Sequence, residues 1–266
     1  MKLAFIGGGI MGEAIIAGVL ANKLASPSGI SVCEVVADRR KYLAETHGVA
    51  VTDDPAKAVA GADIVILAVK PQEFAAAGKP LAGNLTDAQT VMSIMAGVTS
   101  QTIKGTLKHE AVVRAIPNTP AQIGAGMTVW TAAPTVSDEG RQSVSSILSV
   151  LGQEIYAAEE KYIDMATAVS SSGPAYIFLV IEAMIDAAVH IGLRRDMAVP
   201  MVLQTVLGSA RYAQETGKHP AELRNQVTSP GGTTTEGLLV LEEAGLRAAF
   251  MDAVQAAYEK AKQLGG

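Results

Sequence analysis

Two short segments near opposite ends of the chain combine glycines with residue types that can hold anions. The first, Gly7-Gly8-Gly9-Ile10-Met11-Gly12, has the spacing G-x-G-x-x-G. It follows an apolar β-branched run and opens a helical pattern, the setting in which such a turn receives a dinucleotide. Gly7 permits the tight bend, Gly9 lets backbone approach a pyrophosphate, and Gly12 allows close helix–strand packing. The helix start at Ile10 and Met11 offers free N–H groups and the positive end of a dipole. The second segment is Ser229-Pro230-Gly231-Gly232-Thr233-Thr234-Thr235, ahead of the helical pattern Glu236–Ala244. Glycines beside hydroxyls at a helix start form a nest for an anion such as a substrate carboxylate. The alternative is an N-capping turn with a threonine as cap.

Other positions refine the dinucleotide reading. Glu34 lies about 20 residues beyond the last motif glycine, where a carboxylate accepts hydrogen bonds from the adenosine ribose and repels a 2′-phosphate. It slightly favours NAD(H) over NADP(H). Arg39 and Arg40 stand close by and would suit a 2′-phosphate, or else a solvated helix start. Ala68-Val69-Lys70-Pro71 closes a strand at its carboxyl end, the edge where open α/β sheets bind ligands. Pro117-Asn118-Thr119-Pro120 closes another, its two prolines restricting the backbone as a nicotinamide pocket needs, with Asn118 as a cofactor contact. A plain strand-ending loop is the alternative reading for both.

Several groups point to no chemistry. Glu182, Asp186 and His190 share a helical face, where a proton relay or the lining of a dimer cavity is one reading and a polar stripe satisfied across helices the simpler one. His47, His109 and His219 are far from one another and from Cys33, so no metal site is expected. No G-x-S-x-G stands in the chain, which argues against a hydrolase of that type.

The elements that must carry these residues are legible from the alternation of β-branched runs with helical patterns. Strands are expected at Leu3–Gly7, Ser31–Glu34, Asp63–Ala68, Thr90–Ile94 and Val112–Ala115, and a weaker one near Val49–Val51. Runs such as IVILAV are apolar on both faces, as in parallel strands covered on both sides. The expected fold is α/β: a Rossmann-like, doubly wound parallel sheet over residues 1–158, then an all-α domain over 159–266. After about Gly152 the strand signal fades, and helices are expected with breaks at SSSGP, at His219–Pro220 and at Ser229–Gly232. Residues 175–192 are apolar around nearly the whole circumference, so this helix needs burial. A small helical domain offers few places for that, and a second subunit is the simplest cover: a homodimer built from the C-terminal halves.

The bulk composition fits. At 266 residues, 49% hydrophobic and 18% charged, the chain can fill packed cores. A net charge of −5 without basic clusters argues against nucleic acid as partner. The longest apolar stretch, Ala175–Leu193, holds three ionisable groups, which argues against a membrane span. Cys33 is the sole cysteine, which fits a reducing, cytoplasmic setting.

The combined segments FIGGGIMGEAI, LAVKPQ, MAGV, IPNTPA, SSSGPAYIFLVIEA and VTSPGGTTTEGL, in order along the chain, resemble the pyrroline-5-carboxylate reductase family. The resemblance implies reduction of L-1-pyrroline-5-carboxylate to L-proline by NAD(P)H, the last step of proline biosynthesis. It implies that Ser229, Gly231, Gly232 and Thr233 hold the substrate carboxylate and that Thr234, the catalytic residue, hydrogen-bonds the ring nitrogen. It also implies interlocked dimers, with larger rings of dimers in some members. The sequence departs from the family at three places: Glu34-Val35 replaces a common Asn-Arg, Ser171 a common glycine, and Glu236 a small residue. A two-domain hydroxyacid reductase would be the nearest rival. Such enzymes generally use a lysine in the helical domain, and none lies between Tyr162 and Gly217. A non-catalytic dinucleotide sensor is the rival of another class.

Overall fold

The computed structural model describes residues 1–265, arranged as two compact units: residues 1–172 with 257–265, and residues 173–256. In the first, β1 (Leu3–Ile6) leads into α1 (Ile10–Ala21), β2 (Ile30–Cys33), α2 (Ala37–His47), β3 (Ala50–Thr52), α3 (Pro55–Val59) and β4 (Ile64–Leu67). There follow α4 (Phe74–Gly78), β5 (Thr90–Ser93), α5 (Ser100–Leu107), β6 (Val112–Ile116), β7 (Gly126–Ala132), α6 (Asp138–Ser149) and β8 (Gly152–Tyr156). The sheet order is β3-β2-β1-β4-β5-β6-β7-β8. Strands β1 to β6 are parallel; β7 runs antiparallel to β6, and β8 parallel to β7. This is the doubly wound sheet that the alternating pattern predicts, extended by two strands.

Burial on both faces explains the apolar strands. In β1, Leu3 and Phe5 join a core with Ile15, Ile16, Leu43 and Ile147, while Ala4 and Ile6 join one with Val59, Phe74 and Ile103. The central parallel strands β1, β4, β5 and β6 are buried along their whole length, and alternate residues of β1 serve opposite layers.

Three expectations need correction. The strand signal does not end at Gly152, because β8 begins there; its GQEIY sequence is polar, as an edge strand tolerates. Strand β7 was not anticipated, although its TVWT centre is strand-like. The chain also does not break at SSSGP. A single helix runs from Lys161 to His190, comprising α7 (Lys161–Ala166), a π-helical turn (Thr167–Ser171) and α8 (Gly173–His190). Pro174 has no N–H to give the Ser170 carbonyl four residues back. The Asn118 side-chain amide donates to that carbonyl instead, at 3.0 Å, so the helix survives its proline.

The start of this helix is tied down by a buried cation. Arg114 of β6, only 2% exposed, donates to Glu160 at 2.6 Å and lies 3.3 Å from Asp164. Glu160 also accepts the Ser100 N–H at 2.7 Å. Burial pushes the Glu160 carboxyl up, but the Ser100 and Arg114 bonds outweigh it and hold it below the ordinary 4.5.

In the second unit α8 continues to α9 (Arg195–Thr216), α10 (Pro220–Gln226), α11 (Thr233–Glu243) and most of α12 (Leu246–Gly265). Neither α8 nor α11 buries a residue within the chain, and α9 buries only Ala198 and Val202. The 30-residue helix Lys161–His190 holds an 18-residue window of mean hydropathy 1.5, long and apolar enough to cross a membrane by length and composition only. Along it Asp186 pairs with Arg195 at 2.7 Å.

Candidate functional site

The strand order reverses between β1 and β4, so the chain leaves these neighbours in opposite directions and opens a crevice at their carboxyl ends. Gly7 sits at that point with φ +99°, a conformation that favours glycine, and its N–H binds the Cys33 carbonyl at 2.8 Å. A Cβ at Gly7 would lie 2.7 Å from the Ala68 carbonyl oxygen, so the two strand ends could not approach as they do. Gly12 serves the packing expected of it: its Cβ would come within 2.9 Å of the Gly7 carbonyl oxygen. At Gly9, by contrast, an added Cβ would meet nothing within 4 Å, leaving the turn open to a ligand.

A pocket of about 660 Å³ occupies this crevice. It gathers six of the residues predicted to bind cofactor: Gly7, Gly9, Glu34, Ala68, Val69 and Lys70. Ile10 and Met11 form the first turn of α1, and Pro71 opens a 3-10 turn beside Lys70, but none of the three lines the pocket. Cys33, Asp53, Gln72 and Glu73 line it too and were not anticipated. Asp53, just past β3, was findable from the rule that ligands bind at the carboxyl ends of parallel strands. No group of three or more metal-ligating side chains occurs among the described residues.

The corner after β2 is tightly bonded. Glu34 accepts the N–H of Gly8 and of Val36, both at 2.9 Å. Arg40 donates to the Glu34 carbonyl at 2.6 Å and lies 3.5 Å from Asp53. Arg39 reaches the Gly8 carbonyl at 2.6 Å and Glu13 at 2.5 Å. Neither arginine is the free, solvated side chain of a helix start. Burial pushes the Glu13 carboxyl up, and bonds from Arg39, His47 and Tyr42 reverse this, leaving it below its ordinary value. The thiol of Cys33, in the pocket wall, is pushed up to about 11 by burial and by the nearby Glu34, Asp53 and Asp54 carboxylates.

Asn118 does not line this pocket. Its amide bridges the Ser170 carbonyl and the Met127 N–H, at 3.0 and 2.9 Å, which commits both ends of the side chain.

In the second unit, Ser229–Gly232 forms a turn closed by the Gly232 N–H on the Ser229 carbonyl at 3.0 Å. Gly231 has φ +67°, which accounts for one of the paired glycines. Gly232 is the N-cap of α11 and no side chain caps the helix, so the threonine cap of the alternative reading does not form. Thr235 instead donates to the Ser229 carbonyl at 2.7 Å. The N–H groups of Thr233 and Thr234 belong to the first helical turn, which has no intrahelical acceptor for them. The segment thus presents backbone donors and the positive end of an 11-residue helix on an accessible loop.

Residues 160–264 match the family described as pyrroline-5-carboxylate reductase dimerisation. Residues 2–97 match NADP oxidoreductase, coenzyme F420-dependent. The chain is 43% identical to pyrroline-5-carboxylate reductase of Synechocystis sp., over 100% of this chain and 98% of that one. To the Methanosarcina acetivorans enzyme it is 41% identical, covering 99% and 98%. The solved pyrroline-5-carboxylate reductase of Coxiella burnetii superposes with a TM-score of 0.91 at 39% identity, covering 100% and 98%. The Plasmodium falciparum pyrroline carboxylate reductase, solved with NADP bound, gives 0.91 at 28% identity over 100% and 98%. With relatives at 41–43% identity matched along essentially its whole length, this chain belongs to the pyrroline-5-carboxylate reductase family.

Proposed function

We propose that this chain reduces L-1-pyrroline-5-carboxylate to L-proline, the last step of proline biosynthesis, with Ser229, Gly231, Gly232 and Thr233 holding the substrate carboxylate. The observation that carries these roles is the uncapped start of α11, whose donors are backbone N–H groups that do not titrate. Thr234 orients the ring nitrogen by a hydrogen bond. NAD(P)H supplies the hydride, which adds to the carbon of the C=N bond. The nitrogen of a cyclic imine is basic enough to arrive protonated, so the product amine forms without a strong general acid. The chain's contribution is then proximity and orientation, which supply about 7–11 kcal/mol in well-aligned reactions.

Gly7, Gly9, Ile10, Met11 and Gly12 receive the pyrophosphate, and Ala68, Val69, Lys70 and Pro71 flank the cofactor. Asn118 supports the cofactor region by holding the end of β6. NAD(H) is the preferred cofactor, because the Glu34 carboxylate lies in the pocket wall and repels a 2′-phosphate. We divide the chain by role at 158/159, into a cofactor-binding part and a part for substrate and dimerisation. The working form is a cytoplasmic homodimer in which a second copy covers the apolar faces of α8, α9 and α11.

The direct test offers pyrroline-5-carboxylate with NADH and with NADPH and follows loss of reduced-nicotinamide absorbance. Turnover with both, faster with NADH, is expected. Failure with both cofactors would sink the assignment.

A further inference from the structure

We infer that Arg39 is a positioning residue for the cofactor turn: by gripping the Gly8 carbonyl it aims the Gly9 N–H at a dinucleotide's pyrophosphate. This rests on the reading of the crevice as the cofactor site. Gly8 C=O and Gly9 N–H belong to one peptide unit, and no peptide bond among the described residues is cis. In a trans unit the two groups point in opposite directions. Fixing the carbonyl toward α2 therefore fixes the amide away from it. Gly9 lines the pocket, its N–H has no acceptor among the described residues, and a Cβ built there would meet nothing.

The grip is itself braced. Arg39 Nε donates to the Gly8 carbonyl at 2.6 Å while Nη2 binds Glu13 Oε2 at 2.5 Å. The guanidinium lies 4.9 Å from the centre of the Tyr42 ring, and Tyr42 donates to Glu13 Oε1 at 3.0 Å. His47 Nε2 lies 3.1 Å from the same oxygen. Glu13 lies in the first turn of α1, and its own N–H binds the Gly9 carbonyl at 2.8 Å. On the other side of Gly8, the N–H is taken by Glu34. Both polar groups of Gly8 are thus held by charged side chains, and the next amide is left free. A planar guanidinium with two directed donors suits this double task better than an ammonium. An arginine committed to the turn serves either dinucleotide, since the pyrophosphate is common to both. This separates the positioning role from recognition of a 2′-phosphate, the other use open to an arginine here.

The test measures binding of ADP-ribose, adenosine 2′-phosphate, NADH and NADPH by calorimetry to the full chain and to Arg39→Met. A charge-assisted hydrogen bond lost from the turn predicts about tenfold weaker binding of ADP-ribose, NADH and NADPH alike. Adenosine 2′-phosphate, which has no pyrophosphate, keeps its affinity. With saturating cofactor kcat is unchanged while the cofactor KM rises, and Arg39→Lys recovers part of the loss. A loss confined to NADPH and adenosine 2′-phosphate overturns the inference, as does unchanged ADP-ribose binding. If Arg39→Met does not fold, Arg39→Lys and Glu13→Gln decide by the same criterion: equal, smaller losses for both dinucleotides support it, and a loss for NADPH alone overturns it. ADP-ribose binding needs no imine. Wild-type protein that binds ADP-ribose without reducing the imine would therefore defeat the proposed function and leave this inference standing.

Discussion

Residues 1–172 and residues 173–256 solve the problem of apolar surface in opposite ways. In the first region every central strand is covered on both faces, and the cofactor turn is braced by Glu13, Glu34 and Arg39 of the same chain. In the second, α8 and α11 bury nothing, and Phe178, Leu179, Leu207 and Val240 are each more than half exposed. One unit is self-sufficient; the other carries the surface of an interior without an interior to hold it. Such surface on a long helix is the mark of an obligate interface.

The hardest blow to this contrast would come from placing a charge on α8. Leu179→Asp should weaken self-association by about 4 kcal/mol, the scale of an interface hot spot. Sedimentation would show monomers where the parent is dimeric, with imine reduction lost and ADP-ribose binding retained. A variant that stays dimeric would show that α8 is not the covered face.

The next largest effect tests the self-sufficient unit. Glu160→Ala leaves the buried Arg114 with Asp164 alone, and should cost about 3 kcal/mol of stability in chemical denaturation. The sign with pH follows from its lowered carboxyl. Glu160 contributes fully above the ordinary 4.5 and loses that contribution as pH falls through its lower folded value. The parent should therefore lose stability on acidification below about pH 4.5, and the alanine variant should lose less over the same window.

Thr234→Ala sharpens the division of labour between the two regions. Loss of one hydrogen bond to the ring nitrogen should lower kcat/KM for the imine by about 1.5–2 kcal/mol, or tenfold to thirtyfold, with cofactor affinity unchanged. An equal loss of cofactor binding in titration would contradict the substrate role. The smallest expected effect is that of Glu34→Ala, about 1 kcal/mol against NADH relative to NADPH, from the loss of one ribose contact. An unchanged ratio of the two KM values would mean that Glu34 serves only to hold Gly8 and Val36.

How much of this was legible in the sequence depended on how local the cause is. The glycine turn, α1 and the six parallel strands follow from periodicity and from backbone needs at Gly7 and Gly12, which act within a few residues. Strand β8 has no such signal, because an edge strand keeps polar residues and its pairing partner Gly126–Ala132 is remote. The SSSGP segment read as a break because Pro174 removes a donor; the compensating donor, Asn118, is distant in sequence and visible only in three dimensions. The arginines misled in the same way. Sequence offers two loose cations after β2, whereas the fold spends both on backbone carbonyls.

The sulfhydryl in the pocket wall has a practical consequence. With Cys33 pushed up to about 11 by burial and by neighbouring carboxylates, very little of it is the reactive thiolate at neutral pH. Peroxide and alkylating reagents act through that form, so oxidative stress should leave the chain's one sulfhydryl intact when more acidic cysteines elsewhere are already modified.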